Sequence, residues 1–167
     1  FVNAEKVSNL GIEADFNWLL NNQWKVFGSL GLLHAVLDNY ENPKLLADGI
    51  TLSGRRIAHA PAYQFSLGGE YYANNNWTFR TNIEGKDEFF FSNGHNAKSS
   101  SYVIVNSSLD YKKGDWRVSL WGRNILDKDF DTRGFFFGID PSTEYTPAVY
   151  TQKGEPRVVG INVSWDY

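Results

Sequence analysis

Val158-Val159-Gly160-Ile161-Asn162-Val163-Ser164-Trp165-Asp166-Tyr167 closes the chain, directly after Glu155-Pro156-Arg157. Val159, Ile161, Val163, Trp165 and Tyr167 take every second place, and Val158, Gly160, Asn162, Ser164 and Asp166 take the places between. Side chains of a strand point alternately to its two faces, so this stretch predicts a strand with one apolar and one mostly polar face.

The same period recurs upstream. Residues 7–20 set Leu10, Ile12, Ala14, Phe16 and Trp18 against Asn9, Gly11, Glu13, Asp15 and Asn17. Residues 24–38 alternate less cleanly, because Phe27 and Leu33 stand opposite Val26, Leu30 and Leu32. Further strands are predicted over 61–73, 77–86, 101–111 and 116–125. The polar turns 21–23, 74–76 and 112–115 are short, whereas 39–59, the stretch around 92–100, and 126–155 are long and irregular. Seven strands joined alternately by tight turns and long loops predict an all-β, up-and-down antiparallel meander. No segment carries a helical period.

The apolar faces of these strands contain no Asp, Glu, Lys or Arg. Glu13, Asp15, Lys25, Glu70, Arg80, Glu84, Lys86, Asp110, Arg117, Arg123 and Asp166 all fall on the opposite faces. Aromatic residues bracket every short turn: Trp18 and Trp24, Tyr71 and Trp77, Tyr111 and Trp116, with Trp165 and Tyr167 at the chain end. Amphipathic rings favour the headgroup level of a bilayer, so these eight read as one aromatic girdle of a membrane barrel. Cross-strand aromatic pairing within hairpins is the other reading. Alternation alone also fits a soluble lipocalin-like barrel with its apolar face inside.

Composition narrows the classes. The 167 residues carry a net charge of −3, no cysteine and no methionine, and 16 % aromatics. The acidic balance argues against nucleic acid, and the missing thiols exclude disulfides and thiolate metal sites. The mean hydropathy of −0.41 contains no run long enough for a membrane helix. A β-barrel reconciles that value with the aromatic load, because half of each strand faces a polar lumen. His34, His59 and His95 fall on separate segments without ligand spacing, so neither a metal site nor a cofactor is expected. Phosphate loops, a nucleophile elbow and a paired-carboxylate signature are all missing, which argues against an enzyme.

Seven strands would leave two unpaired edges in lipid, and single-chain bacterial barrels have even strand numbers. The chain, which lacks methionine even at position 1, is therefore expected to be the C-terminal piece of a larger barrel. A stand-alone small barrel serving as adhesin or scaffold, and a soluble ligand-binding barrel, remain the alternatives.

Four segments carry a family likeness: Asn9-Leu10-Gly11-Ile12-Glu13-Ala14, Ala60-Pro61-Ala62-Tyr63-Gln64, Leu120-Trp121-Gly122-Arg123-Asn124-Ile125-Leu126-Asp127, and Gly154-Glu155-Pro156-Arg157. In that order, with the terminal aromatic, the chain resembles the C-terminal part of a TonB-dependent outer-membrane receptor. Ile125 departs from the leucine usual in that family's xNLxD segment. The resemblance implies the last seven strands of a 22-stranded transmembrane barrel, residues 1–167 forming part of that barrel with its plug domain absent. It implies the outer membrane of a Gram-negative bacterium and energised uptake of a scarce nutrient such as a ferric siderophore, cobalamin or a sugar. The implied partners are outer-membrane lipid and lipopolysaccharide, the TonB complex through the missing N-terminal region, and the barrel-assembly machinery through the last strand. Tyr167 resembles that machinery's recognition signal.

Ligand contact is expected in the long loops. Arg55 and Arg56 offer guanidinium forks to an anion or to lipopolysaccharide phosphates, or else pair within the loop. Phe90 and Phe136 sit in two Phe triplets that either line a vestibule, or form the outer girdle or pack the loops together. Arg133, Tyr145 and Tyr150 complete the candidate set. The small-molecule ligand itself is not legible.

Overall fold

A computed structural model describes residues 6–38 and 42–166. Tyr167, a candidate member of the girdle, lies outside the described residues. The strands are β1 (Val7–Leu19), β2 (Trp24–Leu37), β3 (Tyr63–Tyr72), β4 (Trp77–Lys86), β5 (Tyr102–Lys113), β6 (Trp116–Arg123), β7 (Asp131–Phe137), β8 (Ala148–Lys153) and β9 (Val158–Trp165). One antiparallel sheet runs β1-β2-β3-β4-β5-β6-β9, and β7 pairs with β8 alone. The seven-stranded meander is the predicted one, with β9 beside β6 as expected from the final strand. β1 and β9 are the two sheet edges and do not pair with each other.

Two elements depart from the sequence reading. The stretch 126–155 was expected to be irregular, yet it folds into the β7–β8 hairpin. Its consecutive Phe135, Phe136 and Phe137, the Gly134 beside them and a register shift between Asp131 and Arg133 destroy any two-residue period. The loop after β2 holds a five-residue helix, α1 (Pro43–Ala47), too short to show a helical repeat. Local chemistry makes it: the Asn42 side chain accepts from the backbone N–H groups of Lys44 and Leu45, and Pro43 fills the first turn, where no N–H partner is needed.

The short turns are built by side chains. Asn21 Oδ1 accepts from the backbone N–H of Gln23 (2.8 Å) and Trp24 (2.9 Å). Asn74 repeats the arrangement with Asn76 (2.9 Å) and Trp77 (3.0 Å). Asparagine does this because its carbonyl mimics a backbone acceptor two residues on. The third turn uses Gly114 at φ +58, a left-handed backbone that glycine adopts without steric cost.

These turns align the aromatics. Trp24 faces Tyr71 and Trp77 faces Tyr111 across neighbouring strands, each with ring centroids 4.5 Å apart, and Trp116 faces Trp165 at 6.3 Å. Cross-strand pairing, the second reading of these aromatics, thus brings six of them together in three pairs.

The sheet has no core of its own. Leu10 is 74 % exposed, Val159 70 % and Leu120 57 %, and Ile12, Phe16, Leu67, Phe79, Leu109, Ile161 and Val163 are likewise exposed on the apolar face. The opposite face is concave and polar: Glu13, Asp15, Ser29, Gln64, Ser66, Glu84 and Lys86 line a concavity of about 900 Å³. Its charges pair laterally. Arg80 bridges Glu70 (3.0 Å) and Asp110 (3.5 Å), Tyr72 donates to Glu70, and Glu84 accepts from Asn82 (2.7 Å) and Asn106 (3.3 Å).

Among the described residues, the buried apolar side chains are Ala35, Val36, Leu37, Leu52, Ala60, Phe89 and Phe91. They gather at the long-loop end of the sheet. That placement explains the apolar run Ala35 to Leu37 at the outer end of β2, which loops cover; Phe27, toward the other end, instead lays its ring over Gly68 of β3.

Candidate functional site

The long-loop end is a small folded unit. The segment before β3 and the loop between β4 and β5 interlock through their backbones. The backbone N–H of His59 donates to the carbonyl of Phe90 (2.9 Å), and that of Ala58 donates to Asn93 Oδ1 (2.8 Å). Within the second loop Phe90 bridges Lys98, and the Phe89 N–H donates to the buried Ser99 hydroxyl (3.0 Å). Arg55 is the fastener between the two segments. Its guanidinium lies 3.8 Å from the Phe90 ring centroid and donates to Asn96 Oδ1 (2.9 Å), the Ser92 carbonyl (3.3 Å) and the His95 carbonyl. Arg56 pairs with Asp87 (2.9 Å) and reaches Glu88 (4.0 Å). Burial opposes ionisation of Asp87, but the Arg56 hydrogen bond and backbone N–H donors outweigh it and hold the carboxyl below its usual range.

The β7–β8 hairpin stands beside this unit as an arm. Asn124 holds its root. The side chain, 2 % exposed, donates to the carbonyls of Lys128 and Glu155 and accepts from the Lys128 N–H, each at 2.9 Å. Its backbone takes φ +45, which asparagine tolerates better than most residues. Asp127 Oδ1 accepts from the Arg157 N–H at 3.0 Å, so both ends of the arm are tied. Lys153 pairs with Asp131 (3.0 Å) and Asp129 (3.2 Å) across the hairpin. The arm leans on the loop unit at Gly134, where any Cβ would run into the ring of Phe91.

A concavity of about 500 Å³ opens where arm and loops meet. Phe91, Ser92 and His95 form one wall, Arg133 and Phe136 the other, and His59 closes a side. His95 and Phe136 approach with ring centroids 5.3 Å apart. Burial, reinforced by the nearby Arg55 charge, pushes the His95 imidazole below its ordinary value. Burial alone pulls Arg55 down. The lining offers a guanidinium, imidazoles and aromatic faces, with no carboxylate among the lining residues. Such a set suits an anion or an aromatic group.

The model of the TonB-dependent receptor-like β-barrel family matches residues 1–125. The chain belongs to the TonB-dependent receptor family. Solved structures agree on the fold. The ferric yersiniabactin uptake receptor FyuA from Yersinia pestis superposes with a TM-score of 0.79 at 18 % identity, over 99 % of this chain and 24 % of that one. The siderophore receptor PiuA from Acinetobacter baumannii gives 0.75 at 16 %, over 96 % and 22 %. The ferric preacinetobactin receptor BauA, also from Acinetobacter baumannii, gives 0.66 at 16 %, over 100 % and 25 %. The chain thus spans about a quarter of the length of each. TonB-dependent receptors are Gram-negative outer-membrane receptors and transporters rather than enzymes.

In this TonB-dependent barrel segment the candidate residues separate into groups. Arg133 and Phe136 line the concavity. Arg55 and Phe90 meet each other in the wall behind it, and Arg56 is engaged with Asp87. Tyr150 stacks on Phe137 in the arm at 5.3 Å. Tyr145 is exposed near the arm tip with φ +59, outside the concavity lining. Two residues were not expected at the site from sequence. His95 was weighed only as a metal ligand, and nothing in the loop sequence around Gly94 and Asn96 points to the concavity wall. Asn124 stood inside the family-like segment, but nothing in the sequence ties it to Lys128 and Glu155.

Proposed function

We propose that this chain forms the C-terminal strands of the transmembrane barrel of a TonB-dependent nutrient receptor, with residues 1–167 as part of a 22-stranded barrel that a separate N-terminal domain plugs. The observation that carries the reading is the pairing of a convex apolar face, exposed from Leu10 to Val159, with a concave polar face rich in ion pairs. Lipid on the outside and a wet lumen inside satisfy both faces, whereas a soluble closed barrel would need them reversed. On this reading Trp18, Trp24, Tyr71, Trp77, Tyr111, Trp116, Trp165 and Tyr167 mark the periplasmic interface, and the arm and loop unit face the outside. The lipid partners are outer-membrane phospholipid and lipopolysaccharide. TonB engages the N-terminal region, and the assembly machinery reads the last strand.

The receptor takes up a scarce nutrient, with ferric siderophores first among the classes because the neighbouring structures are named for such ligands. Arg133 and Phe136 are the residues placed to meet it, with His95 beside them. A binding screen of the full-length receptor against ferric siderophores, cobalamin and oligosaccharides tests the reading. One class should bind, and Arg133→Ala should weaken it roughly tenfold or more, the worth of one hydrogen bond to a charged group. A receptor that binds its ligand undiminished after both Arg133→Ala and Phe136→Ala would place the ligand elsewhere.

A further inference from the structure

The inner wall of the concavity is a single turn, residues 92–97, held from both sides. From behind, Arg55 donates to the carbonyls of His95 and Ser92 and to Asn96 Oδ1. From within, His95 Nδ1 accepts the backbone N–H of Ala97 at 3.2 Å. From the front, the same imidazole meets the Phe136 ring of β7 at 5.3 Å. His95 is therefore a wedge: one edge closes the turn and one face meets the arm.

An imidazole nitrogen accepts a hydrogen bond only while unprotonated. A proton on Nδ1 would replace the acceptor by a donor aimed at another N–H. It would also set a positive charge beside Arg55, in a ring only 9 % exposed. The charged and titratable groups around it are Arg55 from the segment before β3, His59 from that same segment, and Arg133 from β7. All are basic, and among the described residues no carboxylate lines the concavity to offset the new charge. The Phe136 face attracts an imidazolium, but with its ring tilted 45° it answers only one of the two losses.

We propose that Arg55 and His95 are positioning residues for the ligand concavity, and that protonation of His95 unlocks the 92–97 turn and so opens the inner wall of the site. The function of this step rests on the reading that the concavity takes the ligand: acid outside the cell would loosen the grip. The direction follows from linkage. Burial and Arg55 hold His95 neutral in the closed turn below its ordinary 6.5, while an open turn restores the ordinary value. Closure is then fully present above that ordinary value and is lost as pH falls below it, through the closed-state value.

Hydrogen exchange of the full-length receptor in detergent, corrected for intrinsic rates, reads the turn without any ligand, so a failed ligand screen cannot mimic its outcome. Between about pH 8 and about pH 5 the Ala97 amide, which donates to the neutral imidazole, should lose protection. His95→Gln keeps an acceptor but takes no proton, and should hold its protection at both values. Arg55→Gln should lack it at both. If the glutamine variant fails to assemble, the wild-type profile decides, because its midpoint must lie below 6.5. Wild-type protection that ignores pH, a midpoint above that value, or the same acid loss in His95→Gln would overturn the proposal.

Discussion

Asn124 holds the root of the arm that supplies one wall of the candidate site, yet is not among the lining residues. It satisfies three backbone groups of the arm root with one side chain, and its own N–H donates to Asn106 Oδ1 at 3.0 Å. Removing one partner from buried polar groups costs about 1–3 kcal/mol. Asn124→Ala should therefore lower the temperature at which the receptor unfolds in detergent, and should raise cleavage of the arm by added protease. Asn124→Asp keeps the acceptor to Lys128 but turns a carboxylate oxygen toward the Lys128 and Glu155 carbonyls in a buried site, so a loss at least as large as for alanine is expected. The Arg56–Asp87 pair makes a second prediction. The folded carboxyl sits below its usual 3.8, so its stabilising effect is present above that value and is lost as pH falls through the folded-state value. Exchange of the 87–91 amides should rise in that acid range for wild type, and Asp87→Asn should flatten the profile. Neither residue's role could be read beforehand, because each depends on a partner brought in by the fold from at least 30 positions away.

Elements were legible in proportion to how differently their two faces are solvated. β1 and β9 alternate cleanly because one face is apolar and the other polar along their whole length, and both were placed within a residue or two. β2 blurred because loops cover its outer end from Ala35 to Leu37 and because Phe27, on its polar face, packs over the bare Gly68. β7 and β8 escaped because three consecutive Phe and a register shift break the period of β7, while β8 carries apolar and polar residues on both of its faces. The face assignment itself is testable on β6. Leu120→Arg puts a charge on the apolar face, at a cost of roughly 2–4 kcal/mol if that position lies near mid-membrane, whereas Ser119→Arg adds one to the polar face. Heat-modifiable, surface-exposed receptor should fall sharply for Leu120→Arg and little for Ser119→Arg. For the arm, Gly134→Val forces a side chain into the Phe91 ring, so β7 must lift from the loop unit. Ligand binding should drop while barrel assembly stays unchanged, as measured by binding per assembled receptor.

At the scale of the molecule, the sheet and its cap follow opposite rules. The cap at the long-loop end buries apolar side chains inward, as a soluble domain does. The sheet turns its apolar side outward and leaves its polar side to line a concavity. β1 and β2, at 13 and 14 residues, exceed the 9–11 or so that a tilted strand needs to cross a bilayer. The central claim is that lipid supplies the surface that the sheet lacks. The chain contains no cysteine, so single cysteines along β9 can each carry a spin label. In receptor reconstituted into bilayers, collision with dissolved oxygen should peak at 159, 161 and 163, and collision with a water-soluble nickel chelate should peak at 160, 162 and 164. Two opposed period-two profiles in that phase are the predicted result. The inverted phase, or uniform exposure to the chelate, would contradict the account.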